Sequence, residues 1–294
     1  MNAPIQMHED PLLFREDMNF TATQTRFLPR LIEKDYFCTL LLNYLAAADA
    51  TLIFKGGTCL AKVHAEFYRL SEDLDFVIPA PCDAPRSQRR ALATRLKEAA
   101  GRIEADLKPF RIVEPLRGAN NSTQYVACIG YQSLLSGQEE TIKIEVGLRE
   151  PLLMPVSNSM ARTLLLNPIS GQPMVPAFPV SCISREEAMA EKLRAALSRR
   201  DVAIRDFYDI DHAVRKMDLD PRERSFIAMV HRKLSVPGND PVDVSDSRLA
   251  ELRLQLVSQL KPVLREQDFQ AFDLESVFQE VGAVASLLAK NNSA

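Results

Sequence analysis

From Thr25 to Ala48 apolar residues recur at helical spacing, with Phe27, Leu31, Cys38, Leu41, Leu42 and Leu45 forming one stripe. Glu33-Lys34-Asp35 interrupts that stripe on what reads as its polar side. The pattern then shortens: Thr51 to Phe54 predicts a strand, a glycine turn follows, and Thr58 to Phe67 predicts a helix. Asp73 to Ile78 predicts a second strand with Leu74, Phe76 and Ile78 inward, ended by Pro79, Pro81 and Pro85. Beyond these prolines a helix is expected to end near Leu107, followed by strands over Phe110 to Pro115, Gln124 to Gln132 and Thr141 to Leu148. The last alternates Ile142, Ile144 and Val146 against Lys143, Glu145 and Gly147, as a half-buried strand does.

Residues 151–180 are rich in proline and predict one or two short strands in a segment that connects two halves. Ser184-Arg185-Glu186-Glu187 then reads as a capping box opening a helix to about Arg199. Helical patterns follow over Asp206 to Lys216, Arg222 to Leu234, Ser247 to Leu260 and Leu274 to Ala289, with Gly238-Asn239-Asp240-Pro241 as a loop. The expected organisation is a helical segment over residues 1–48, a mixed α/β (α+β) core over 49–180 and a helical domain over 181–294. Chemistry is expected in a cleft between the two halves.

Composition narrows the function. The chain has 294 residues, 46% hydrophobic and 26% charged, as in a globular protein with a sizeable core. A net charge of −3 gives no global attraction to nucleic acid, so any such contact needs a local basic patch. No apolar run is long enough to span a bilayer, and Met1 to Glu9 lack a signal-peptide core, which predicts a cytoplasmic protein. The five cysteines (38, 59, 82, 128, 182) and four histidines (8, 64, 212, 231) are scattered and form neither a disulfide framework nor a zinc pattern. Nothing in the spacing supports a Cys–His nucleophile. Any metal is therefore expected to be a hard ion held by oxygen.

Candidate chemistry concentrates in two stretches. Phe54-Lys55-Gly56-Gly57-Thr58 combines a glycine pair, through which backbone N–H groups approach phosphates, with a hydroxyl at a helix start. In Arg69-Leu70-Ser71-Glu72-Asp73-Leu74-Asp75, the two aspartates fall on one face of a strand, where only a cation between them relieves their repulsion. The alternatives are an ordinary turn and a solvated strand end.

Together Phe54-Lys55-Gly56-Gly57-Thr58, Arg69-x-Ser71-x-Asp73-x-Asp75, Glu145, Glu191-Lys192-Leu193 and Arg205-Asp206-x-x-Asp209 resemble the AbiEii/AbiGii toxin family from about Glu33 to His212. Members are nucleotidyltransferase toxins of bacterial toxin–antitoxin and phage-defence systems, and some modify tRNA 3′ ends and block translation. The resemblance implies a polymerase-β-like nucleotidyltransferase core with a mixed sheet. It implies a nucleoside triphosphate substrate, Mg²⁺ (two ions) on Asp73, Asp75 and Glu145, and catalytic roles for these with Lys192 and Asp209. Lys55, Gly56, Gly57, Thr58, Arg69 and Ser71 fall at its nucleotide- and phosphate-binding positions. For Glu145 and Lys55 plain solvent exposure is the competing reading, and for Lys192 a solvated helix position.

An RNA acceptor, tRNA by resemblance, is the expected partner, along with an antitoxin encoded nearby that needs no stable contact, and no membrane. Two arginine-rich stretches bear on the acceptor: Arg86, Arg89, Arg90, Arg95, Lys97 and Arg102, and Arg194, Arg199, Arg200 and Arg205. The first reads rather as a solvated helix face balanced by Glu98, Glu104 and Asp106, and the second, beside Lys192, is the better RNA candidate. Alternative readings are a transferase acting on a small molecule or protein, and a non-catalytic nucleotide-binding module.

Overall fold

A computed structural model of the chain describes residues 7–291 and divides into two compact units, 1–183 and 184–294. In the first, α1 (Pro11–Thr25) and α2 (Pro29–Ala48) precede β1 (Ile53–Lys55). A short α3 (Gly56–Cys59) runs on as a π-turn (Leu60–His64). Then come β2 (Leu74–Val77), α4 (Arg86–Leu92), α5 (Thr94–Asp106), β3 (Phe110–Ala119), β4 (Gln124–Gln132), β5 (Glu139–Gly147), β6 (Ser157–Ala161) and β7 (Phe178–Cys182). The strands form one mixed sheet of seven, in the order β3-β4-β5-β2-β1-β7-β6. β2 and β1 therefore sit at its middle, and Val77 is buried along with Leu74, Phe76 and Ile78.

The helical stripe is longer and differently cut than its pattern indicates. Asp10 caps α1 by accepting from the Leu12 and Leu13 amides, with Pro11 at the first helical position. Arg26 breaks the run with φ 62°, and Pro29 restarts it. Glu33 and Asp35 are not on a solvent face. Both are buried, Glu33 accepting from Ser133 Oγ and the Leu134 amide at 2.7 Å each. Burial outweighs these bonds and raises the Glu33 pKa.

Asp35 meets the fully buried Lys62, whose Nζ lies 2.5 Å from Asp35 Oδ1 and 2.7 Å from Thr39 Oγ1. The other Asp35 oxygen accepts from the Leu164 amide at 3.0 Å. This pair ties α2, the π-turn and the segment after β6 together. Tyr36 and Phe37 of α2 extend the contact through rings: Tyr36 packs on Phe14, and Phe37 on Phe110 and Tyr131.

Two further segments depart from expectation. β3 continues past Pro115, because as an edge strand it tolerates a residue without an N–H, and its register shifts between Glu114 and Arg117. Residues 151–180 are not only a connection. Their β6 forms the sheet edge and pairs antiparallel with β7, which runs parallel to β1.

The second unit is helical: α6 (Arg185–Ser198), α7 (Ile204–Lys216), α8 (Arg224–Leu234), α9 (Asp246–Gln255), α10 (Glu266–Gln270) and α11 (Leu274–Asn291). Ser184 caps α6, its Oγ accepting from the Glu187 amide at 3.2 Å. The Glu187 carboxylate is fully buried and lies 2.6 Å from Lys233 Nζ of α8, which also meets Glu191 at 3.1 Å. Among the described residues no helix is long and apolar enough to cross a membrane.

Replacing Lys62 by methionine strands the buried Asp35 carboxylate without its cation and is expected to cost about 3–5 kcal/mol in urea unfolding. The double change with Asp35→Leu should recover part of that loss. A loss under 1 kcal/mol for Lys62→Met would contradict the assigned role.

Candidate active site

The site is built where β1 turns into α3. Gly56 takes φ 76°, a left-handed conformation that side chains resist, and a Cβ there would collide with the Asp75 carboxylate. At Gly57 a Cβ would lie 2.5 Å from Arg69 Nη2 and 3.0 Å from Ser71 Oγ. The glycines thus let the turn close onto Asp75, Arg69 and Ser71. Arg69 is buried, donates to the Leu70 carbonyl at 3.1 Å and lies 5.7 Å from the Tyr68 ring centroid. Thr58, also buried, donates its hydroxyl to the Asp73 carbonyl at 2.5 Å, so it fixes the loop leading to the aspartates.

Sheet register gathers the charged groups. Lys55 pairs with Asp75 across β1 and β2, and Asp75 pairs with Glu145 across β2 and β5. Registered neighbours point to the same face. Asp73 lies just before β2, two residues from Asp75, and its charge acts together with that of Asp75 on Lys143. Lys143 Nζ lies 2.6 Å from Glu145 Oε2, and Gln124 Nε2 donates to Glu145 Oε1 at 2.8 Å. Burial pushes the Glu145 pKa up, but Lys143, Gln124 and the charge of Lys55 together hold it below the usual glutamate value. Conversely the Glu145 hydrogen bond, the charges of Asp73 and Asp75 adding to it, raises the pKa of Lys143 against its desolvation. Lys143 and Gln124 are members of this site that the pattern did not single out. The cue was present for Lys143, which shares its strand face with Glu145.

The second unit holds the other expected residues. Lys192 Nζ lies 2.7 Å from Asp206 Oδ1 and 2.8 Å from Asp209 Oδ2, joining α6 to α7. Asp206 and Asp209 thus share a helix face, with side chains 7% and 0% exposed.

Of the arginine-rich stretch, Arg89 is structural: it is buried and donates to the Leu148 and Cys82 carbonyls at 3.1 and 2.9 Å. The expected single helix is two, broken at Ala93, with Arg86, Arg90, Arg95 and Arg102 exposed. In the second unit Arg199 lies 3.7 Å from Asp206, and Arg200 3.6 Å from Asp240.

The scatter of cysteines and histidines along the chain does not carry over to the fold. Cys59, His64 and Cys182, scattered in the chain, bring their ligand atoms within 4.8 Å of one another. A hydrogen bond from Cys59, reinforced by His64 and Ser159 against burial, lowers the Cys182 pKa to about 5.

Comparison with known proteins gives the family. Residues 40–282 match the family described as "Nucleotidyl transferase AbiEii toxin, Type IV TA system". The chain belongs to that family: it is a nucleotidyltransferase toxin, with a nucleotide as substrate and an antitoxin as partner. Two solved structures are similar in fold, both 18% identical to it. The "putative nucleotidyltransferase from H. pylori" superposes with a TM-score of 0.46 over 89% of this chain and 92% of its own. JHP933 from Helicobacter pylori does so with 0.45 over 96% and 93%. No curated protein matches the chain.

Two outcomes follow. Gly56→Ala should lower the thermal midpoint more than Gly137→Ala does. Both glycines have positive φ, but around Gly137 the space is open, so the excess measures the approach of Asp75. Equal shifts would contradict that approach. Glu145, with its folded pKa below 4.5, contributes stability that is present above that value and lost as pH falls through the depressed pKa. Acid titration of Glu145→Gln should lack that part of the wild-type loss.

Proposed function

We propose that the first unit has a polymerase-β-like core and transfers a nucleotide from a nucleoside triphosphate to an RNA, with a tRNA 3′ end as the leading acceptor. The observation that carries this is the registered pair of Asp75 and Glu145 beside the glycine turn, with Asp73 two residues before Asp75 and the Lys143 ammonium under the charge of all three carboxylates. An all-oxygen donor set already balanced by a cation fits Mg²⁺, which Asp73, Asp75 and Glu145 would hold. Bound there, Mg²⁺ supplies charge neutralisation to the triphosphate and acidity to the attacking hydroxyl.

The chain's own residues do the rest. The Gly56-Gly57 backbone, lacking side chains, admits the phosphates, and Lys55 adds positive charge beside them. Arg69 and Ser71, packed against Gly57, fix the turn, while Thr58 fixes the loop carrying Asp73. The acceptor hydroxyl attacks the α-phosphorus, the bond to the bridging oxygen breaks, and pyrophosphate leaves. The hydroxyl proton passes to the carboxylate edge. The exposed Arg86, Arg90, Arg95 and Arg102 support an RNA acceptor through phosphate contacts. The consequence for the cell is arrest of translation and growth.

Sequencing RNA 3′ ends after brief expression tests the acceptor. Added nucleotides on tRNA are expected with wild type and none with Asp73→Asn or Asp75→Asn. Unchanged RNA ends alongside label appearing on protein or a small molecule would move the same chemistry to another acceptor. Nucleotide binding without transfer to any pool would leave a non-catalytic binding module.

A further inference from the structure

Three features of the fold converge on Cys59, His64 and Cys182. Residues five apart on an α-helix are turned about 140° from one another, which would separate Cys59 from His64. The π-turn over Leu60–His64, marked by the Ala65 amide bonding to the Leu60 carbonyl at 2.8 Å, widens the helix and brings His64 back over Cys59. Cys182 arrives from the other side, because β7 pairs with β1 through Phe54 and Cys182 and the Ile183 amide donates to the Phe54 carbonyl at 3.0 Å.

The imidazole is also oriented. His64 Nε2 lies 3.0 Å from the Ile183 carbonyl oxygen, which can only accept. A proton on Nε2 donates to that carbonyl, and the tautomer so fixed presents Nδ1 to the two cysteines. A backbone carbonyl holding the far nitrogen is the usual support of a metal-bound histidine. Both cysteines are fully buried and reduced.

We propose that Cys59, His64 and Cys182 bind one Zn²⁺ ion, which clamps β7 to the turn that follows the glycine pair. Two thiolates and a neutral imidazole balance the charge of Zn²⁺, so the buried site carries no net charge once two thiol protons pass to solvent. Zn–S bonds of about 2.3 Å and Zn–N bonds of about 2.1 Å place tetrahedral ligand atoms roughly 3.5–3.8 Å apart, within small side-chain adjustments of the arrangement seen. Three protein donors leave a fourth position for water. A disulfide between the cysteines would leave the imidazole and its carbonyl support without purpose. The site uses none of Asp73, Asp75 and Glu145 and does not depend on the transferase reading.

Elemental analysis of untagged protein grown with zinc supplementation tests the site. About one zinc per chain is expected for wild type and for Cys128→Ser, and less than a fifth of that for Cys182→Ser or His64→Ala. Cobalt added to reduced, metal-stripped wild type should give thiolate-to-metal charge-transfer absorption, a readout that needs no variant to fold. Metal-free protein that also gives no such band with cobalt would overturn the proposal. So would a Cys59–Cys182 disulfide found by mass spectrometry in freshly purified protein.

Discussion

The Asp75 carboxylate occupies the space that a side chain on residue 56 would need, and the arrangement of the site follows from that exclusion. It demands glycine at the turn, permits the left-handed φ of 76° and lets β1 and β2 meet with Lys55 opposite Asp75. The parallel pairing of β2 with β5 then sets Glu145 beside Asp75. Three carboxylates cannot share an edge without a counter-charge, and in this structure Lys143 and Lys55 provide it. A site whose charge is already balanced by movable ammonium groups is suited to exchange them for a cation brought in with a triphosphate.

Buried charge also holds the scaffold behind the turn. Asp35 and Lys62 join the long helix to the π-turn, Glu33 joins the same helix to the loop after β4, and Lys233 joins α6 to α8 in the second unit. Each lies where an apolar stripe would otherwise continue. Such pairs contribute little net energy against apolar replacements, yet they are costly to break singly. Their effect is to fix which surfaces meet, and the position of the glycine turn depends on the first of them.

Much of this was legible in the chain. The alternation in β5, the limits of β4, the apolar stripe of α2 and the ordered Gly-Gly and Asp-x-Asp motifs each have a local cause that a short window contains. What escaped detection depends on distant partners. Glu33 and Asp35 look solvent-facing because Ser133 and Lys62, far along the chain, are what satisfy them. Pro115 looks like a strand end because only the sheet order reveals that β3 is an edge. Cys59, His64 and Cys182 have no metal-ligand spacing, since a π-turn and a β7–β1 register bring them together. The Asp10-Pro11 helix start, by contrast, was a readable local signal.

The central claim is that the carboxylate edge beside Gly56 carries out nucleotidyl transfer. Pyrophosphate release by the purified chain, supplied with each nucleoside triphosphate, bulk tRNA and a Mg²⁺ series, tests it most directly. Release that rises with Mg²⁺ and falls at least a hundredfold in Asp75→Asn, with the thermal midpoint of that variant kept, is the expected result. Undiminished release by a folded Asp75→Asn protein would contradict the claim.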